Sequence, residues 1–187
     1  MRPFATLSSQ VITPHHLKQR IAGCILTLTR WGLESHKGKD PRIFSAHQSL
    51  QTTLSHPTIH SYLTQKEHSL HALPLGSWDL HKHIFPIQGK WEYLGILLWS
   101  LQLWPWIPAY HLDFPKTQLF QSTRIVPARP ESILDFVNST KESMHPLPAI
   151  QQELDRAQAW HWRARAQRIL EWQQSIQARG NAHEIQK

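Results

Sequence analysis

Four sets of side chains in this 187-residue sequence have the types needed for chemistry. The first is Glu92, the only charge in the apolar stretch Trp91 to Trp106, set against Arg163 and Arg165 near the C-terminus. A carboxylate facing a core must be hydrogen-bonded and paired, or it takes up a proton. Arg163 or Arg165 as its partner would give either a structural ion pair that sets helix register or a small-anion pocket, with Trp91, Trp99 and Tyr110 as its other wall candidates. The balance favours the structural pair, because no nucleophile lies nearby in sequence.

Fourteen histidines raise the question of a metal. On one continuous helix His60, Glu67 and His71 would project within about 40° of each other. Two histidines and a carboxylate can hold zinc or iron, but the tighter HExxH spacing is absent, and no metal or other cofactor is assigned. His81 and His83 flank Lys82 in a connection, and His15-His16 opens a helix, so both pairs are expected in solvent. Cys24 is the single cysteine, which excludes an intrachain disulfide and a cysteine-based zinc site. It falls on the apolar side of a helix and is expected to be inert, and no G-x-S-x-G elbow offers a serine nucleophile. Trp162, Arg163, Arg165, Arg168 and Trp172 interleave aromatic and guanidinium groups as a nucleic-acid surface can. Arg163 and Arg165, however, lie about 200° apart on a helix and cannot share a face.

These residues need elements to hold them, and the pattern is helical throughout. Thr13 followed by Pro14 begins a helix to about Glu34, with Leu17, Ile21, Cys24, Leu28 and Trp31 as its apolar stripe. A second opens at Pro41 and runs to Leu54. A third is expected over Thr58 to Leu73, ended by Pro74, and residues 74–90 read as an ordered connection. The central helix, about 91–104, is apolar nearly all round and is therefore expected to be enclosed by the others. Short helices follow near 116–121 and 130–138. A long C-terminal helix, about 148–178, is expected to stop at Gly180. The fold class is all-α: a single-domain helical bundle around the Trp-rich central helix and the long last helix, with 1–13 and 180–187 as flexible ends.

Composition bounds what such a bundle can do. At 40% hydrophobic content, with nine tryptophans, the chain can bury a sizeable core. The net charge of +7 is uneven: seven basic against two acidic groups in residues 1–42, seven of each in 43–150, and six against four in 151–187. Scattered in this way, the excess forms a solvated face rather than a dense patch. The central stretch is shorter than the ~20 apolar residues of a membrane span, and Ile21-Ala22-Gly23-Cys24 lacks the apolar run of a lipobox. A cytoplasmic protein is expected.

Three segments, LTQKEHSLHALPLGSW, WEYLGILLWSLQLWPWIPAY and ELDRAQAWHWRARAQ, resemble the bacterial family called domain of unknown function 4272. The likeness covers about residues 57–170. It rests on Thr64, Glu67 and Trp78, on Trp91, Glu92, Trp99, Pro108 and Tyr110, and on Trp160, Trp162, Arg163 and Arg165. His111 stands where an acidic residue is expected. The resemblance implies a bacterial, helical protein and no substrate, cofactor or catalytic residue. With many aromatic anchors and no reactive cluster, the reading is a non-catalytic protein–protein interaction module, leaning away from an enzyme. Trp104 and Trp106 are the candidate contact residues toward an unknown protein partner. The alternatives are an enzyme or anion-binding domain around Glu92 and Arg163, and nucleic-acid binding.

Overall fold

A computed structural model describes residues 13–36, 40–109, 112–139 and 143–184; the side chains of residue 85 and of 175–184 are not described. Every regular element among the described residues is helical. The chain divides into two compact units, Met1–Met144 and His145–Lys187.

In the first unit α1 (Pro14–Ser35) is capped as its sequence requires: the Thr13 side chain accepts from the His16 backbone N–H, and Pro14 stands where no amide partner is needed. Every residue from Ile21 to Leu28 is buried. Helix α1 touches α2 (Pro41–Leu54), α4 (Gln65–His71), α6 (Lys90–Ser100) and α8 (Pro130–Asn138). It is therefore the axis of this unit, a place the tryptophan-rich stretch was expected to hold. One face of α6 packs inward through Trp91, Leu94, Leu97, Leu98 and Trp99, while Glu92, Tyr93 and Ile96 are exposed.

The central helix also ends sooner than its apolar run predicts. Gln102 takes a left-handed φ of 57°. Gln102 N–H then bonds the Trp99 carbonyl at 2.8 Å and Leu103 N–H bonds the Leu98 carbonyl at 2.9 Å, the paired closure of a Schellman motif. Apolar patterning marks burial, and it does not mark where a backbone stops coiling.

The helix expected over 58–73 is two helices, α3 (Pro57–His60) and α4, with a turn at 61–64 between them. The cause is local. Thr64 N-caps α4 in a full capping box with Glu67, and that cap needs an extended residue where a continuous helix would run through. Gly23 of α1 lies against the same turn: a Cβ there would stand 2.6 Å from the Tyr62 carbonyl oxygen. The connection at 74–90 holds a π-helical turn, Leu80–Ile84, and a short α5 (Phe85–Gln88). Asp79 starts that turn, its carboxylate accepting from the His81 and Lys82 amides at 3.0 and 2.8 Å. Helices α7 (Lys116–Thr123) and α8 complete the unit.

The second unit is chiefly α9 (Leu147–Glu184), 38 residues long. Its helix continues past Gly180 to Glu184, so the expected stop at that glycine does not occur. Residues 1–12 and 185–187, part of the ends expected to be flexible, lie outside the described residues. No helix among the described residues is long and apolar enough to cross a membrane.

Candidate functional site

Helix α1 carries cations into the interior at three levels. At its start Lys18, only 2% exposed, donates from Nζ to the Ser139 carbonyl and to Ser139 Oγ, at the C-terminal end of α8 where a helix dipole favours positive charge. Two residues on, the Arg20 guanidinium grips Glu67 with two bonds, Nη1 to Oε2 at 3.2 Å and Nη2 to Oε1 at 3.1 Å. Lys90 Nζ donates to Glu67 Oε1 at 2.6 Å, and the Thr64 amide and hydroxyl donate to Oε2 at 2.8 and 2.9 Å. Burial pushes the Glu67 carboxyl upward, but the bonds from Arg20, Lys90 and Thr64 outweigh it and hold the pKa at about 2. Glu67 stays a carboxylate with its lone pairs occupied.

Cys24 lies beside this group. Its thiol donates to the Lys90 carbonyl at 3.4 Å, and burial pushes its pKa to about 12. A thiol so held keeps its proton, in line with the inert reading.

The third level is the most enclosed. Arg30 has no exposed surface and forms a salt bridge with Glu34 one turn along, Nη2 to Oε1 at 2.6 Å. Its Nη2 also donates to the Leu73 and Pro74 carbonyls at 2.9 and 2.8 Å, its Nη1 meets His47 Nε2, and its guanidinium lies 5.5 Å from the Trp78 ring centroid. Glu34 accepts the Gly76 amide at 3.0 Å and the Trp78 amide at 3.4 Å, and Trp78 Nε1 donates to the Leu70 carbonyl at 3.1 Å. Arg30 and Glu34 together clamp the PLGSW turn, so both charges are saturated by structure. Thr64, Glu67 and Trp78 all belong to these clamps.

His71, one turn after Glu67 on α4, is the exception. It is buried, and neither ring nitrogen has a hydrogen-bond partner. Burial first, then the charge of Arg30, lowers its pKa to about 4, so the ring is neutral.

The residues predicted from sequence are redistributed by this arrangement. Glu92 is exposed on α6, so the burial that would have demanded a cationic partner is absent. Arg163 and Arg165 are exposed in the second unit, 5.3 Å and 5.8 Å from the ring centroids of Trp160 and Trp162. Neither arginine meets the condition of burial on which the Glu92 pocket rested. His60 and His71 do not share a helix; His60 is exposed and stacks on His68 at 4.0 Å. With Glu67 occupied by two cations, the expected His60–Glu67–His71 face does not form. Among the described residues no three His, Cys, Asp or Glu side chains are grouped to hold a metal ion. Trp91 and Trp99 are buried, Trp104 is buried, Trp106 is 46% exposed, and Tyr110 lies outside the described residues.

Trp91 has a position that sequence reasoning missed. It lies where two open cavities of the first unit meet. One, of about 690 Å³, is lined by Lys116, Thr117, Phe120, Arg124 and Val126; the other, of about 390 Å³, by Trp31, Leu33, Ile43 and Ala46, and both share Trp91, Phe120 and Val126. The Trp91 ring is T-shaped to Trp31 at 6.2 Å and lies 4.9 Å from Phe120. Trp91 Nε1 and Thr29 Oγ1 have no hydrogen-bond partner. The rim is cationic: Lys116 and Arg124 are exposed, Arg42 lies beyond them, and no Asp or Glu lines either cavity. Arg42 already binds Asp40 at 2.8 Å, which leaves Lys116 and Arg124 as the cations that a visitor would meet. The signals for helices α1, α2, α6 and α7 were legible beforehand; their convergence on Trp91 was not.

Compared with known proteins, the chain matches no family model, no curated protein and no solved structure.

Proposed function

We propose that the chain is a non-catalytic protein-interaction module, and that its groove around Trp91 receives an acidic, amphipathic segment of a partner protein. The observation that carries this reading is the composition of the groove: an aromatic and aliphatic floor under a rim with basic and no acidic side chains. An apolar side chain of the partner would rest on Phe120 and Val126, which line both cavities, and a carboxylate would meet Lys116 and Arg124. The buried ionic groups argue against catalysis at α1, because their donors and acceptors are already used within the fold. Membership of the bacterial family known as domain of unknown function 4272, and a cytoplasmic setting, belong to the same proposal. The first is carried by the three matching segments, the second by the single buried, protonated Cys24.

The test uses two fluorescent amphipathic helical peptides with the same apolar face, one bearing glutamates and the other lysines. The acidic peptide should bind in a salt-sensitive manner, and Arg124→Glu should weaken it about tenfold. Equal binding of both peptides, or none at low salt, would remove the reading.

A further inference from the structure

A third open cavity of the first unit, of about 480 Å³, lies between the end of α7 and α8. Ser132, Asp135 and Phe136 line it from a single face of α8, since residues three and four apart on a helix are neighbours. Leu103, Ser122 and Arg124 contribute further wall. Arg124 and Asp135 are its only charged lining residues. Both are exposed, they are of opposite sign, and neither has an ion-pair partner among the described residues. Arg124 is unusual in its backbone as well. It follows the last residue of α7 at a φ of 56°, in the left-handed region that favours glycine. An arginine is kept where a glycine would be less strained, and there it lines both this cavity and the larger cavity beside Trp91.

We infer that this third cavity binds a free α-amino acid with an apolar side chain. The ligand's carboxylate meets the Arg124 guanidinium and its ammonium meets the Asp135 carboxylate. Ser122 Oγ already donates to the Leu119 carbonyl at 2.8 Å, so toward a ligand it is an acceptor and suits the ammonium. Leu103 and Phe136 receive the side chain. A lone anion would meet Arg124 but be repelled by Asp135, and either end of a peptide carries one charge of the two. Only a zwitterion answers both. The volume lies within the range of about 300–1,000 Å³ found for small-molecule sites. Asp135 lines neither cavity of the Trp91 groove, so the two sites share Arg124 and can be separated at Asp135.

Isothermal titration calorimetry of the full chain with L-leucine, L-methionine and L-phenylalanine, each in turn, tests the site. At least one should bind with a dissociation constant below about 1 mM. Its N-acetyl derivative lacks the ammonium and its amide lacks the carboxylate, and each should bind about tenfold more weakly or worse. Asp135→Asn should weaken the amino acid by a similar factor. Because Asp135 is exposed, that variant should melt as the wild type does, and it should bind the acidic peptide of the groove test unchanged. Arg124→Gln should weaken the amino acid as well. No binding of any of the three amino acids at about 10 mM, an N-acetyl derivative that binds as tightly as its parent, or an Asp135→Asn variant with wild-type affinity for the amino acid would overturn the inference. The groove reading is judged on the peptides alone, so either can fail without the other.

Discussion

Helices α1 and α9 invert the usual assignment of residue types. In α1 the charged side chains Lys18, Arg30 and Glu34 are buried; in α9 Trp160, Trp162 and Trp172 are exposed. The difference teaches that burial follows the partners an element is given rather than its hydropathy. Arg30 is tolerated inside because Glu34, His47 and two carbonyls satisfy its donors, and because Trp78 offers a ring face. The α9 tryptophans are partly shielded by local means, Arg163 and Arg165 lying over Trp160 and Trp162.

The largest way to break this contrast is to remove one member of the innermost pair. Glu34→Ala leaves the Arg30 guanidinium buried without its carboxylate, and unfolding by urea should show a loss of about 3–5 kcal/mol. A loss below about 1 kcal/mol would mean that the pair is far less enclosed than the geometry states.

A smaller, pH-dependent effect separates the two buried groups of α4. His71 has a folded pKa of about 4 against an ordinary 6.5, so the unfolded chain takes up the proton first. Its contribution is present above pH 6.5 and is lost as pH falls toward 4. The Glu67 carboxyl is held at about 2 against 4.5, so its contribution is present above pH 4.5 and is lost as pH falls toward 2. Each is on the order of 3 kcal/mol at its full extent. Melting temperature measured from pH 8 to pH 2 should therefore decline in two stages. His71→Leu should remove the upper stage and raise stability near neutrality, because two unpartnered ring nitrogens leave the core. Glu67→Gln should remove the lower stage and destabilise the protein at pH 7. Loss of the same stage in both variants would show that the two groups do not titrate separately.

The smallest effect sharpens the comparison from the exposed side. Glu92→Gln should change stability by no more than about 0.5 kcal/mol, since the carboxylate is in solvent. A fall in melting temperature of several degrees would restore the buried pair that the sequence first suggested.

Much of the architecture was readable because local chemistry decides it. Thr13 with Pro14, Asp40 with Pro41, and Pro130 each mark a helix start where the structure has one, since proline presets the helical φ and brings no amide that needs a partner, and Thr13 and Asp40 add a side-chain cap. The break before α4 was legible in principle in the Thr64-x-x-Glu67 spacing of a capping box, although the apolar periodicity of 58–73 argued for continuity. The end of α6 was less so, because a left-handed glutamine gives no signal of its own.

The sequence alone determined the all-helical class, most helix starts and the burial of Cys24 on the apolar side of α1, because propensity, capping and periodicity act over a few residues. Which charges go inside was decided only by tertiary structure. Arg20 and Glu67 lie 47 residues apart, and Arg30 meets carbonyls 43 and 44 positions away. The same holds for the groove, where Trp31, Trp91 and Phe120 become neighbours through the packing of three helices. A buried cation is stable only when donors and acceptors distant in sequence converge on it, and that convergence belongs to the fold.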